Sequence, residues 1–290
     1  MGVIASPSVR KLAADRGVDL DALAAKLGRE TIAREDVLGG TAGSGPGAGA
    51  GAALYWDVDH AQFGPVSTEP LNRMAQVAIA NLTAAQQLIP AVTHHDSADI
   101  SRIEAMRKRL KAEGRKITAL AFHVAILTRC LQEFPRFNAS LAPDGKSLIL
   151  KHYVHVGIAV DTAQGLAVPV IRDTDGKRIP DIAAEMSDLA ERARARRIRP
   201  EEMGGASITI SSLGGLGGEA FTPIVNPPEL AILGITRTEI RPVWDGECFQ
   251  PTPMVPLDLS YDHRVINGAD AAQFLFRYRE LVRDPDILLL

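Results

Sequence analysis

The run Met254-Val255-Pro256-Leu257-Asp258-Leu259-Ser260-Tyr261-Asp262-His263-Arg264-Val265-Ile266-Asn267-Gly268 carries the most structural and chemical information in this 290-residue chain. Its first half alternates in the manner of a strand. Asn267-Gly268 reads as a turn, and Ala271, Phe274, Leu275, Tyr278 and Leu281 recur behind it at helical spacing. His263 therefore sits where a strand ends and before a helix begins, a place from which a side chain can be presented to a cleft. Imidazole ordinarily titrates near working pH, so a positioned histidine is a natural general base. A lone histidine is more often structural. The polar neighbours Asp262, Arg264 and Asn267 tip the balance toward a site.

Upstream, Ile100, Ile103, Met106 and Leu110 predict a helix behind a Ser101-x-x-Glu104 capping box. Residues 117 to 132 read as a buried helix that includes Cys130. The run from Tyr153 to Val170 alternates and breaks at Asp161-Thr162-Ala163-Gln164-Gly165, which predicts two strands joined by a turn. Ile182, Met186, Leu189 and Ala193 mark a further helix with a basic tail. Residues 65–290 thus form an α+β domain, without the regular strand-helix alternation of a doubly wound sheet. Before it, residues 40–64 are a Gly/Ala-rich flexible linker. The glycines there lack the Lys-Ser/Thr ending of a phosphate loop. Residues 5–39 read as a small helical module. Ser6-Pro7 and Asp19 start its helices, Gly17 and Gly28 stop them, and Val9, Leu12, Leu20, Leu23, Leu27, Ile32 and Val37 face inward. So small a core suits a tethered docking module better than an enzyme.

Composition narrows the function. A formal charge of -3 with 23% charged residues argues against a nucleic-acid binder. No apolar run reaches membrane-spanning length and no leader opens the chain, so the expectation is a cytoplasmic protein with no membrane partner. Cys130 and Cys248 are far apart and suit free thiols in a reducing compartment. No Cys/His ligand spacing points to a metal.

The segment Asp262-His263-Arg264-Val265-Ile266-Asn267-Gly268 resembles the Asp-His-Arg-x-x-Asp-Gly signature of the acyltransferase component of the 2-oxo acid dehydrogenase complexes. Four further stretches carry the same resemblance: residues 133–141, 157–172, 209–218 and 221–229. Residues 5–13, 18–20 and 35–37 are similar to that family's peripheral subunit-binding domain. Its Gly-rich loop is replaced by Ala25-Lys26-Leu27-Gly28-Arg29-Glu30-Thr31, and its acidic and basic residues balance, which weakens electrostatic steering toward an acidic partner.

The resemblance implies a chloramphenicol-acetyltransferase-like catalytic domain with a mixed sheet and flanking helices. It implies transfer of an acyl group, acetyl by similarity to the pyruvate-type members, between a lipoyl arm and coenzyme A as substrate, with no metal. His263 would be the base and Ser211 the oxyanion donor, with Ser212 its neighbour beside the coenzyme. Asn267 stands where aspartate is more usual; its amide cannot ionise and would orient the site. Arg73 matches an arginine near the coenzyme entrance. His94 and His95, after Ala91 at a usual histidine position, would serve surface or intersubunit packing. Active sites would form between copies in a homotrimer, and the apolar tail Ile287-Leu288-Leu289-Leu290 would join trimers into a cage. The partners implied are a 2-oxo acid decarboxylase, dihydrolipoamide dehydrogenase and a lipoyl-carrying domain or chain. The lysine-bearing hairpin expected ahead of the module is not in this sequence, which fits either a truncated chain or a short form that takes its acyl arm from another polypeptide. The competing expectation is a non-catalytic core or docking component; the joint presence of His263 and Ser211 argues against it.

Overall fold

The computed structural model describes residues 3, 5, 7–27, 32, 34–37, 58–163 and 165–286, which fall into two units, residues 1–69 and 70–290. In the first, α1 (Pro7–Arg16), α2 (Leu20–Leu27) and α3 (Arg34–Val37) enclose Val9, Ala13, Ile32 and Val37. Gly17 takes a φ of +66° to end α1, and Asp19 Oδ1 accepts the N–H groups of Asp21 and Ala22 at the start of α2. Arg10 donates to the carbonyls of Val3 and Ala5. Ser6, Gly28, Thr31, the glycine-alanine run through residue 57 and the tail 287–290 lie outside the described residues. Within the expected linker, His60–Phe63 forms a short 3-10 turn capped by Asp59.

The second unit runs α4 (Arg73–Leu88), β1 (Ala91–Asp99), α5 (Ser101–Ala112), α6 (Ala119–Glu133), β2 (Ala139–Leu141), β3 (Leu148–Leu150), β4 (Val156–Ile158), β5 (Val160–Thr162), β6 (Gly165–Ala167), β7 (Val170–Ile171), α7 (Ile179–Arg194), β8 (Ile208–Ser212), β9 (Ala231–Ile235), β10 (Glu239–Trp244), β11 (Phe249–Asp262) and α8 (Gly268–Arg283). Strands lie in the order β1-β11-β9-β8-β4-β7, with β10 along the first half of β11. The β9–β8 and β8–β4 pairs are parallel and the others antiparallel. This is the mixed sheet with flanking helices that the sequence implies.

β11, the longest strand, lies between edge strand β1 and β9 and ends one residue before the histidine. Successive side chains of a strand point to opposite faces. Val255, Leu257, Leu259 and Tyr261 join the main core with Phe274, Leu275 and Tyr278 of α8. Asp258, Ser260 and Asp262 point the other way and are buried as well. Buried polar groups need partners. Ser260 Oγ lies 2.7 Å from Thr93 Oγ1, Asp258 Oδ1 lies 2.6 Å from His95 Nδ1, and Asp262 is bound by Arg264.

Two local expectations change. The Ser101-x-x-Glu104 capping box does not form: Ile100 is the N-cap and makes no side-chain cap bond. Asp99 instead accepts both the N–H and the hydroxyl of Ser101, leaving no free hydroxyl to cap the helix. The two strands expected between Tyr153 and Val170 are each interrupted. β4 and β7 belong to the main sheet, while β5 and β6 continue as a separate two-stranded ribbon.

Candidate active site

His263 is the first residue beyond β11, and its backbone N–H donates to the carbonyl of Pro90 at 3.1 Å. The turn that holds it is braced by its neighbours. The Asp262 carboxylate accepts the Arg264 backbone N–H at 3.0 Å and its Nη2 at 2.6 Å. The Asp262 carbonyl accepts from Val265 and Ile266. A buried carboxylate bound by a guanidinium fork is a strong and directional tie. It leaves the imidazole of His263 exposed, tilted 32° to the Tyr261 ring at a centroid distance of 5.8 Å.

Asn267 is the N-cap of α8. Its Oδ1 accepts from the N–H groups of Ala269 and Asp270, both at 3.0 Å, and Asp270 Oδ2 receives the Asn267 N–H at 3.4 Å. This reciprocal box fixes the start of the helix. The oxygen is thereby consumed, and among the described residues the amide Nδ2 has no partner. Aspartate could cap the helix as well, but it would expose an acceptor where asparagine exposes a donor.

Ser211 is half-buried near the end of β8 and Ser212 is exposed after it. Among the described residues neither hydroxyl has a hydrogen-bond partner. One copy of the chain does not bring Ser211 to His263. Ser211 is level with Gly234 and Asp258, and His263 lies five residues past Asp258. At strand spacings this is roughly 16 Å along the sheet and about 10 Å across it. Arg73, exposed, opens α4. Its neighbour Met74 lines a cavity of about 340 Å³ with Thr162, Ala167, Arg196, Arg199 and Met203.

Two features escape the sequence. His95 does lie on the surface, its side chain 50% exposed, but it is bonded to Asp258, which is 1% exposed. Glu229 is buried beside the strand that carries Ser211: Oε1 accepts from Thr209 Oγ1 at 3.0 Å and Asn226 Nδ2 at 3.1 Å, while Oε2 has no partner. Room for the Thr209 hydroxyl exists because residue 157, its register partner, is glycine; a Cβ there would lie 2.7 Å from Thr209 Oγ1. Burial pushes the Glu229 carboxyl from 4.5 up to about 7, against the downward pull of Thr209, Asn226 and Lys151. Neither feature can be read locally, because the His95–Asp258 pair and the Thr209–Glu229 bond each join residues on separate segments.

Because the folded value of Glu229 is the higher one, its neutral form contributes stability below about 4.5, and that contribution is lost as pH rises through about 7. Denaturant stability should therefore carry a component of about 3 kcal/mol that disappears over this window. Glu229→Gln should remove that component. Parallel pH–stability curves for the two proteins would contradict it.

Comparison with known proteins identifies the family. Residues 63–290 match the family model for the 2-oxoacid dehydrogenases acyltransferase (catalytic domain). The chain is 47% identical over 99% of its length to a Pseudomonas aeruginosa protein, covering 55% of that protein, and 45% identical over 99% to one from Azotobacter vinelandii, covering 47% of it. Both relatives are named dihydrolipoyllysine-residue acetyltransferase component of pyruvate dehydrogenase complex. The chain thus spans about half the length of these curated relatives. A solved structure of Azotobacter vinelandii dihydrolipoamide acetyltransferase, described as addressing a serine, a histidine and an asparagine in its catalytic mechanism, superposes with a TM-score of 0.78 at 49% identity, covering 80% of this chain and 98% of that one. A solved cubic core of the pyruvate dehydrogenase multienzyme complex matches with the same TM-score, identity and coverage. With one family model spanning the whole second unit, the chain belongs to the 2-oxoacid dehydrogenase acyltransferases.

Proposed function

We propose that this chain transfers an acetyl group between a dihydrolipoyl thiol and coenzyme A, with His263 of one copy and Ser211 of a neighbouring copy sharing each site. The observation that carries the reading is the spacing of three residues. In the Azotobacter protein the serine precedes the histidine by 52 residues and the asparagine follows it by four, the intervals that separate Ser211, His263 and Asn267 here. These intervals support reading Ser211, and not Ser212, as the oxyanion donor. The exposed imidazole on a braced turn and the unpartnered serine hydroxyl support the same roles.

The chemistry follows from those groups. A thiol is mostly protonated at neutral pH. The His263 imidazole takes the coenzyme A thiol proton as sulfur attacks the acetyl thioester carbonyl. The Ser211 hydroxyl donates to the oxyanion of the tetrahedral intermediate. Collapse breaks the bond to the dihydrolipoyl sulfur, which recovers the proton from the imidazolium. The acetyl group ends on coenzyme A, no acyl-enzyme forms, and no electrons are exchanged with a cofactor. Asn267 holds the start of α8 against the turn. Ser212 and Arg73 contribute to the coenzyme side, Arg73 as a phosphate contact.

Separation of Ser211 from His263 within one copy is the reason a second copy is invoked. The first helix of the unit supports it: Val77, Ile79, Leu82 and Leu88 of α4 are all exposed. Apolar side chains exposed on opposite sides of one helix suit burial against another subunit. A homotrimer, joined into a cage by its apolar tail, fits this need. The lipoyl arm comes from a lipoyl-carrying domain or chain, and the small helical unit docks a 2-oxo acid decarboxylase or dihydrolipoamide dehydrogenase. Purified chain supplied with acetyl-coenzyme A and free dihydrolipoamide should yield S-acetyldihydrolipoamide and free coenzyme A. Absence of this exchange from the assembled protein would reject the enzymatic reading.

A further inference from the structure

Four residues on adjacent strands stand in one line across the sheet: His95 on β1, Asp258 on β11, Gly234 on β9 and Ser211 on β8. Register partners present their side chains to the same face. Asp258 is buried within this line, and both its oxygens are engaged. Oδ1 lies 2.6 Å from His95 Nδ1, and Oδ2 accepts the backbone N–H of Phe221 at 3.2 Å. A Cβ at residue 234 would fall 2.7 and 2.8 Å from two carbons of the Phe221 ring and 3.1 Å from Asp258 Cβ. Glycine at 234 thus lets that ring lie over the position between Asp258 and Ser211.

Phe221 closes the glycine-rich loop that leaves β8 after Ser212. At its start, Leu213 N–H donates to the Ile235 carbonyl at 2.8 Å; near its end, Thr236 Oγ1 donates to the Glu219 carbonyl at 3.1 Å. Asp258 and the Phe221 ring fix the far end. We propose that His95 and Asp258 are positioning residues for the Ser211 hydroxyl, acting through Phe221 and this loop. Neither touches substrate. A hydrocarbon side chain at 258 could fill the same space but could not hold the Phe221 N–H, and burying a carboxylate costs several kcal/mol unless it is well bonded. The inference rests on the reading of Ser211 as oxyanion donor.

The test is a kinetic cycle on the assembled protein with acetyl-coenzyme A and dihydrolipoamide. Asp258→Ala and His95→Phe should each lower kcat by roughly 10- to 100-fold, as misplacement of a catalytic group does, with KM for acetyl-coenzyme A changed by no more than about twofold. Asp258→Asn should restore most of the loss. Its oxygen can accept from Phe221, and its amide can donate to a His95 ring whose Nδ1 is unprotonated. In a Ser211→Ala background, Asp258→Ala should cause no further drop in kcat. An equal fold-loss in both backgrounds would overturn the positioning role and leave Ser211 as the donor. An unchanged kcat for Ser211→Ala alone would overturn both readings. If Asp258→Ala does not assemble, His95→Phe at its half-exposed position carries the same cycle, and an unchanged kcat there would overturn the inference.

Discussion

Replacing His263 with alanine should lower acetyl transfer by about 10²- to 10⁴-fold, the contribution expected of a general base, while particle size by light scattering stays that of the wild type. The structure gives the reason for this separation. The imidazole is exposed and makes no side-chain hydrogen bond among the described residues. The hydrogen bond of residue 263 to Pro90 is through the backbone N–H, which alanine keeps. The turn is held by the Asp262–Arg264 fork and by the Asn267 cap, both untouched by the substitution. Turnover measured as release of free coenzyme A should collapse without a change in assembly. Unchanged turnover would remove His263 from the chemistry.

Ser211→Ala should lower kcat by about 100-fold with little change in KM, since loss of one oxyanion donor costs roughly 3 kcal/mol in the transition state. The hydroxyl has no partner among the described residues, so its removal leaves the β8 ladder to β9 and β4 intact. Ser212→Ala, at an exposed position one residue on, should have a smaller effect on kcat. If Ser211→Ala raises KM and leaves kcat alone, the hydroxyl binds substrate in the ground state and is not an oxyanion donor. A loss of equal size from Ser212→Ala would show that the two serines have been assigned the wrong way round.

The contrast between these residues shows what a sequence can display. The strand, turn and helix around His263 are legible because period-2 alternation, an Asn-Gly pair and a helical stripe are local signals. The sequence marks Asn267 only as a turn residue and an orienting amide; that it caps α8 is seen in the structure. The alternation of Leu257, Asp258, Leu259 and Ser260, by contrast, looks like a strand with one wet face. β11 is instead buried on both faces over residues 255–262, and its polar residues are bonded to Thr93 and His95, more than 150 positions upstream. Such pairs leave no trace in a single sequence. The capping box at Ser101 fails for a competing local reason, the nearer carboxylate of Asp99. His123 shows the opposite outcome. It has no motif around it, and it is a core residue whose Nδ1 lies 2.7 Å from the Tyr278 hydroxyl and whose pKa is lowered to about 4 by burial. The distance between Ser211 and His263 within one copy is a property of the sheet, visible only once the register is known.

Subunit complementation tests the shared site most directly. His263→Ala and Ser211→Ala chains, each almost inactive alone, would be unfolded together and reassembled. If each site takes its imidazole from one copy and its hydroxyl from the next, random mixing in a cyclic trimer gives about a quarter of sites with both groups, and turnover should rise to about that fraction of wild type. Activity no higher than that of the two variants assembled separately would show that both groups act from the same chain and would contradict the account.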